Sequence, residues 1–103
     1  MKRTERIAQM EERLDEFTEA VEALSAALDK YEAALPAWKK LLDYYGGGQW
    51  MRDFEADEAG KLPKDLKRGV LSEDAVYDLI GDNRELVTKM LEIAKTSLNK
   101  QLV

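Results

Sequence analysis

The stretch from Ile7 to Tyr45, IAQMEERLDEFTEAVEALSAALDKYEAALPAWKKLLDYY, carries the pattern that decides the fold. Apolar residues recur along it at steps that alternate between three and four without a miss, which is the heptad pattern of a helix packed against other helices. The heptad positions a are Ile7, Leu14, Val21, Leu28, Leu35 and Leu42, and the positions d are Met10, Phe17, Leu24, Tyr31, Trp38 and Tyr45. We therefore predict a long N-terminal helix over residues 4–45.

The apolar stripe of this helix is wider than a two-stranded coiled-coil seam, because the g positions are also apolar at Ala20, Ala27, Ala34 and Leu41. A broad stripe suits a helical bundle or hairpin. Pro36 falls at a b position on the outer face, where it removes one backbone hydrogen bond. The sequence predicts a kink near residues 32–35, or alternatively a break at which Pro36 opens a second helix.

The middle of the chain, residues 46–71, predicts a glycine-rich turn, a short helix at about 49–59 and an irregular connection. Tyr45 ends the heptads, so Gly46 is expected to be the left-handed residue that caps the first helix. One glycine suffices for a cap, so the run Gly46 to Gly48 needs a further reason. Either the turn geometry requires extra conformational freedom, or Trp50 or a partner approaches the backbone closely. Gly60 is expected to end the short helix.

A second long helix is predicted over residues 72–101, with Ser72 as its N-cap and acidic residues in its first turn. Gly81 lies inside this stretch, and a single glycine costs a helix only about 1 kcal/mol. We predict a continuous helix. The alternative is a break at Gly81, because Asp82 and Glu85 resemble a capping box.

The assembly predicted from these elements is all-α, with the two long helices in an antiparallel hairpin or bundle within one domain, residues 1–103. Such a hairpin leaves Ile7, Met10 and Leu14 without a partner and covers one side of each stripe only. We therefore expect a homodimer with a four-helix core, or another protein partner. The alternative is a three-helix monomer in which the Trp50 helix folds back as a lid.

Composition excludes several chemistries. The 103 residues include no Cys and no His, which removes disulfides, Cys or His zinc sites, Cys nucleophiles and His bases. The formal net charge of −5 disfavours nucleic acid and anionic lipid as partners. No secretory signal or membrane span is recognisable, so a cytoplasmic protein is expected.

Two runs of charge follow the glycine turn. Asp53, Glu55, Asp57 and Glu58 are expected to form a solvated acidic face, since a calcium loop fails at the positions that need Gly and a closing acid. The basic run Lys61, Lys64, Lys67 and Arg68 lacks interleaved aromatic residues. Its expected use is docking a partner or pairing with the acids, and we predict no metal, no cofactor and no nucleic acid.

Large rings lie on both sides of the turn. They are expected mainly to close one end of a core. The alternative is a peptide or small-ligand surface, and the residues of this possible interaction surface, taken with the turn and the basic run, are Tyr44, Tyr45, Gly47, Gly48, Trp50, Phe54, Lys64, Lys67 and Arg68.

Two motifs carry a family resemblance: Tyr44-Tyr45-Gly46 followed by Trp50, and the stretch LKRGVLSEDAVYD from Leu66 to Asp78. Together they resemble the bacterial family called domain of unknown function 4298. Gly47 stands where that family commonly has a Ser after the Tyr-Tyr-Gly. The resemblance implies a bacterial, cytoplasmic, stand-alone domain and implies no activity, cofactor or catalytic residue.

The function expected from the sequence is non-enzymatic protein–protein interaction or scaffolding through helical surfaces. The alternative from another class is an acidic inhibitor that imitates nucleic acid, since nine acids stand against five bases through Leu35. An enzyme built on carboxylates or a metal is a third, weaker hypothesis, because no spacing of these groups singles out a catalytic pair.

Overall fold

The computed structural model describes residues 2–103, and this part of the chain contains three α-helices, one short 3-10 turn and no strand. The helices are α1 (Arg3–Gly46), α2 (Gln49–Glu58) and α3 (Ala75–Asn99), and the 3-10 turn η1 (Gly69–Leu71) precedes α3. The all-helical prediction, with a short helix and an irregular segment between two long helices, is confirmed.

Both long helices run without interruption. α1 continues through Pro36, so the alternative in which this proline opens a second helix is wrong. α3 continues through Gly81, as predicted. The kink near Pro36 and the antiparallel pairing of the two helices stay predictions.

The chain divides into two compact units, Met1–Leu42 and Asp43–Val103. In the second unit the buried side chains are Trp50 from α2, Leu71 from η1 and Val76 from the first turn of α3. η1 packs against both α2 and α3, so this small core lies where the three elements meet. From Arg3 to Leu42 the first unit is helical, and no residue of α1 is buried.

The turn between α1 and α2 corrects one expectation. Gly46 is the last residue of α1 and not a left-handed cap, whereas Gly48 has φ 87° and occupies the N-cap position of α2. Gly47 is constrained by space instead, since a Cβ there would lie 2.8 Å from the Asp43 carbonyl oxygen. The heptads locate the end of α1, but they do not indicate which glycine takes the positive φ.

The end of α2 is as predicted. Gly60 has φ 72°, its N–H donates to the Asp57 carbonyl at 3.0 Å, and the Lys61 N–H donates to the Ala56 carbonyl at 3.0 Å. These two bonds are the Schellman motif, which satisfies carbonyls that a helix end leaves without partners.

The start of α3 is later than predicted, at Ala75 instead of residue 72. Ser72 still binds the helix end, because its Oγ accepts a hydrogen bond of 3.2 Å from the Ala75 N–H. Ser72 has an extended backbone and directly follows the 3-10 turn η1, so it lies outside α3.

We predict that the three glycines of the turn differ in their tolerance of alanine. Gly48→Ala should lower the free energy of unfolding by about 1 to 2 kcal/mol, since an L-residue resists the left-handed region. Gly47→Ala should also destabilise through its clash with Asp43. Gly46→Ala is the matched control: nothing lies within 4 Å of its added Cβ, and the helical position favours alanine. Urea denaturation checks this, and equal midpoints for the Gly46 and Gly48 variants would contradict it.

Candidate functional site

The residues predicted around the glycine turn come together as a cluster built on Trp50. The Trp50 ring is 8% exposed. The Tyr45 ring meets it edge-on at a centroid distance of 5.1 Å, and the Phe54 ring stacks on it, also at 5.1 Å. Such ring pairs add about 0.5 to 1.5 kcal/mol beyond their buried area. The contact between Tyr45 and Trp50 therefore holds the end of α1 against α2 across the turn.

Trp50 also holds the irregular segment after α2. Its indole Nε1 donates a hydrogen bond of 2.7 Å to the Val70 carbonyl oxygen, which lies in η1. An indole N–H inside a core needs an acceptor, and a backbone carbonyl outside regular helix needs a donor. One bond satisfies both groups and fixes η1 against α2.

Arg68 makes a second attachment between the same segment and α2. Its Nη1 lies 2.5 Å from the Asp57 Oδ1, and its Nη2 donates to the Pro63 carbonyl at 2.7 Å. The side chains are only 33% and 20% exposed, so this ion pair is less screened than a surface pair. For Arg68 the expected pairing with the acids is confirmed, whereas Lys64 and Lys67 are exposed.

A polar network covers the outer side of the turn. The Tyr44 hydroxyl donates to Asp53 Oδ2 at 2.6 Å, and the Gln49 Nε2 donates to Asp53 Oδ1 at 2.9 Å. The Arg52 Nη2 donates in turn to the Gln49 Oε1 at 3.0 Å. Both Asp53 oxygens are therefore engaged by neighbours in the chain.

This network moves two pKa values apart. The hydrogen bond to Asp53, with desolvation and the carboxylate charge, raises the pKa of Tyr44 from 10.0 to about 12. The hydrogen bonds from Tyr44 and Gln49 lower the pKa of Asp53 below its ordinary value. At neutral pH Tyr44 therefore stays a phenol and Asp53 a carboxylate, so the pair is a fixed hydrogen bond and a poor proton shuttle.

Two of the four acids of α2 serve as hydrogen-bond acceptors within the fold, whereas Glu55 and Glu58 are exposed. Asp53 and Asp57 accept from Tyr44 and Arg68, respectively. Among residues 2–103 no three acidic side chains converge as metal ligands. The sequence analysis predicted a solvated face for both acids and did not identify Val70 and Leu71, because the contact of Val70 with Trp50 joins residues 20 positions apart. It also did not identify Gln49, although the i, i+4 spacing of Gln49 and Asp53 is a local signal.

The second candidate surface is the apolar face of α1. Every large apolar a and d residue from Ile7 to Leu28 is exposed, by 42% at Leu28 and by 69% at Phe17. We call this face the α1 stripe; it comprises Ile7, Met10, Leu14, Phe17, Val21, Leu24 and Leu28. An apolar face of this extent is characteristic of a binding surface.

An open depression of about 340 Å³ lies beside the centre of the α1 stripe. It is lined by Arg13, Glu16, Phe17 and Ala20. The spacing i, i+3, i+4, i+7 is that of the hole which receives a side chain from a facing helix in knobs-into-holes packing. Arg13 and Glu16 form its rim as an ion pair of 3.6 Å, with both side chains largely exposed.

The chain matches a family model over residues 7–93, and the description of that model is domain of unknown function, DUF4298. This protein therefore belongs to that family. The match includes most of α1, all of α2 with Trp50, and most of α3. No curated protein and no solved structure matches the chain. No helix within residues 2–103 has both the length and the apolar character needed to cross a membrane.

We predict that the Tyr44–Asp53 pair is visible in a pH titration. Stability from the neutral Tyr44 phenol is complete below pH 10 and is lost as pH rises toward about 12. Stability from ionised Asp53 is present above its ordinary pKa and is lost as pH falls. Phenolate absorbance should show one tyrosine ionising near pH 12, and Asp53→Asn should return that step toward pH 10.

The matched control for this titration is Tyr77→Phe, which removes a tyrosine that is 68% exposed. It should leave the step near pH 12 in place, whereas Tyr44→Phe should abolish it. If Asp53→Asn left the late-ionising tyrosine unchanged, the hydrogen bond would not be the cause of the raised pKa.

Proposed function

We propose that this protein is a non-enzymatic helical interaction module that self-associates as a homodimer through the α1 stripe. The observation that carries the proposal is the exposure of the whole stripe, from Ile7 to Leu28, in a helix with no buried residue. The bacterial, cytoplasmic setting implied by the sequence resemblance remains part of the proposal.

Energetics support this use of α1. Burying one large apolar side chain that was fully exposed stabilises by about 1.5 to 3 kcal/mol. The stripe carries seven such side chains, each at least 42% exposed, over slightly more than three heptads. Association has its own cost of at least several kcal/mol in lost freedom of motion. Because these side chains are 42% to 69% exposed, covering each one contributes roughly half of that amount, so most of the stripe must be covered to offset the cost of association.

A second copy is the economical partner because symmetric dimers present the same surface twice. In a two-fold interface each stripe covers the other, so one sequence supplies both faces. α3 also leaves Leu79, Leu86 and Ile93, which recur every seven residues on one face, exposed by 45% to 55%. Its apolar residues are available to complete the four-helix core that the sequence led us to expect.

The Trp50 cluster supports a structural and not a catalytic role for the turn. The titratable pair of the adjacent polar network, Tyr44 and Asp53, has pKa values shifted away from neutrality. A general acid or base is most effective when its pKa lies near the working pH. The possible interaction surface around Trp50, with Lys64 and Lys67, stays a prediction. In this proposal the cluster serves to hold α2 and η1 in place.

A nucleic-acid-mimicking inhibitor is the second candidate. The five acids between Asp15 and Asp29, with no base among them, are all exposed and favour it. Binding of this kind acts through charge and weakens as salt rises. A nucleic-acid mimic would not use the α1 stripe, which lies in the same segment as these acids. We therefore rank self-association above it.

Phe17→Glu tests the proposal at the centre of the stripe. Because Phe17 is 69% exposed within one chain, the substitution removes no buried contact of the single chain, and the fold around Trp50 should be retained. The variant should nevertheless lose the dimer, since a charge would be buried in the contact without a partner. Light scattering behind a sizing column should give twice the chain mass for the unchanged protein and the single chain mass for the variant.

Ala23→Glu is the matched control, because it adds the same charge to the same segment at an exposed c position off the stripe. It should remain a dimer. A single-chain mass for the unchanged protein across micromolar dilution would refute self-association. A dimer that survives Phe17→Glu would show that the stripe does not form the contact.

A further inference from the structure

We propose that the two copies of α1 pair in antiparallel orientation, with the two-fold axis between Leu14 and Phe17. This inference rests on the proposed homodimer and specifies its geometry. Each a residue then lies opposite a d residue of the other copy, so that Leu14 meets the partner's Phe17 and Ile7 meets the partner's Leu24. In this register the exposed stripe residues from Ile7 to Leu24 pair with one another, and Leu28 lies beyond them, opposite the partner's Arg3.

The two edges of the stripe differ in chemistry. The g edge carries Arg6, Arg13, Ala20 and Ala27, and the e edge carries Thr4, Glu11, Thr18 and Ser25. A parallel pair sets the g edge of one helix against the e edge of the other, whereas an antiparallel pair sets g against g and e against e. The antiparallel arrangement sets the g edge, with its two alanines and two arginines, against the same edge of the partner and away from the polar e edge.

The g edges fit each other in this register. Arg13 lies opposite the partner's Ala20, and Arg6 lies opposite the partner's Ala27. The small alanines leave room for the arginine stems, whose methylene groups cover apolar surface while the guanidinium reaches solvent. In a parallel pair the same alanines would face serine and glutamate side chains at the partner's e positions, and their apolar surface would stay partly wet.

The depression beside Phe17 lies on this g edge. Its lining residues Arg13, Glu16, Phe17 and Ala20 centre on the level that the register places opposite the partner's Leu14. Glu16 stands at a c position, so the depression extends from the seam onto the outer flank of the g edge and does not by itself specify where the partner's Leu14 packs. The orientation is therefore argued from the pairing of the edges and from charge.

Charge along α1 also distinguishes the two orientations. Residues 2–14 carry four bases and three acids, whereas residues 15–29 carry five acids and no base. An antiparallel pair lays the basic end of each helix along the acidic stretch of the other. A parallel pair lays the acidic stretches side by side, which is unfavourable within a Debye length of about 8 to 10 Å.

Spin-label distances test the orientation, and the absence of Cys means that each introduced cysteine is the only thiol. Glu5→Cys and Glu19→Cys both lie at exposed f positions on the outer face. At about 1.5 Å per residue, the two labels at position 5 are offset along the axis by about 32 Å in the proposed dimer, and those at position 19 by about 10 Å.

The label-to-label distance at position 5 should therefore exceed that at position 19 by at least about 10 Å. Similar, short distances at both positions would overturn the antiparallel orientation while leaving the dimer intact. If the labelled protein has a single-chain mass and gives no dipolar coupling, the dimer itself is refuted and this inference falls with it. Glu19→Cys without label, kept reduced, controls for any effect of the substitution on mass.

Discussion

A helix of 44 residues that buries none of them sets the main physical constraint on this protein. Its heptads supply a continuous apolar stripe, and side chains such as Phe17 stay 69% exposed in the single chain. Isolated helices owe little stability to propensity and most to the packing of an apolar face. The proposed homodimer would supply this packing through the α1 stripe, and the proposed antiparallel orientation is argued from the different chemistry and charge along α1.

The second unit obtains its order differently. Trp50 is held between the rings of Tyr45 and Phe54, and its indole binds the Val70 carbonyl. Arg68 repeats the attachment through Asp57. The glycine-rich turn and the irregular segment have little intrinsic preference for regular secondary structure. These bonds hold them in one conformation, as a platform next to α3. The family match includes this platform as well as most of α1.

Periodicity predicted the long helices because a heptad pattern is repeated many times and each repeat agrees with the others. Single events were harder to predict. The left-handed residue is Gly48 and not Gly46, because a run of three identical residues does not indicate which of them takes the positive φ. The sequence predicted that Asp53 and Asp57 face solvent, because it did not show that their partners come close. These partners, Tyr44 and Arg68, lie 9 and 11 residues away along the chain. Such pairings follow from how the chain folds back and leave no local signal.

Hydrogen exchange measured as a function of protein concentration tests the central claim most directly. If a second copy covers the α1 stripe, amides between Ile7 and Leu28 should exchange faster on dilution into the monomer range, because the helix loses its packing partner. Amides of α2 around Trp50 should keep their protection at every concentration, since their contacts lie within one chain. Protection of α1 that does not change from dimer to monomer would contradict the claim that self-association stabilises this helix.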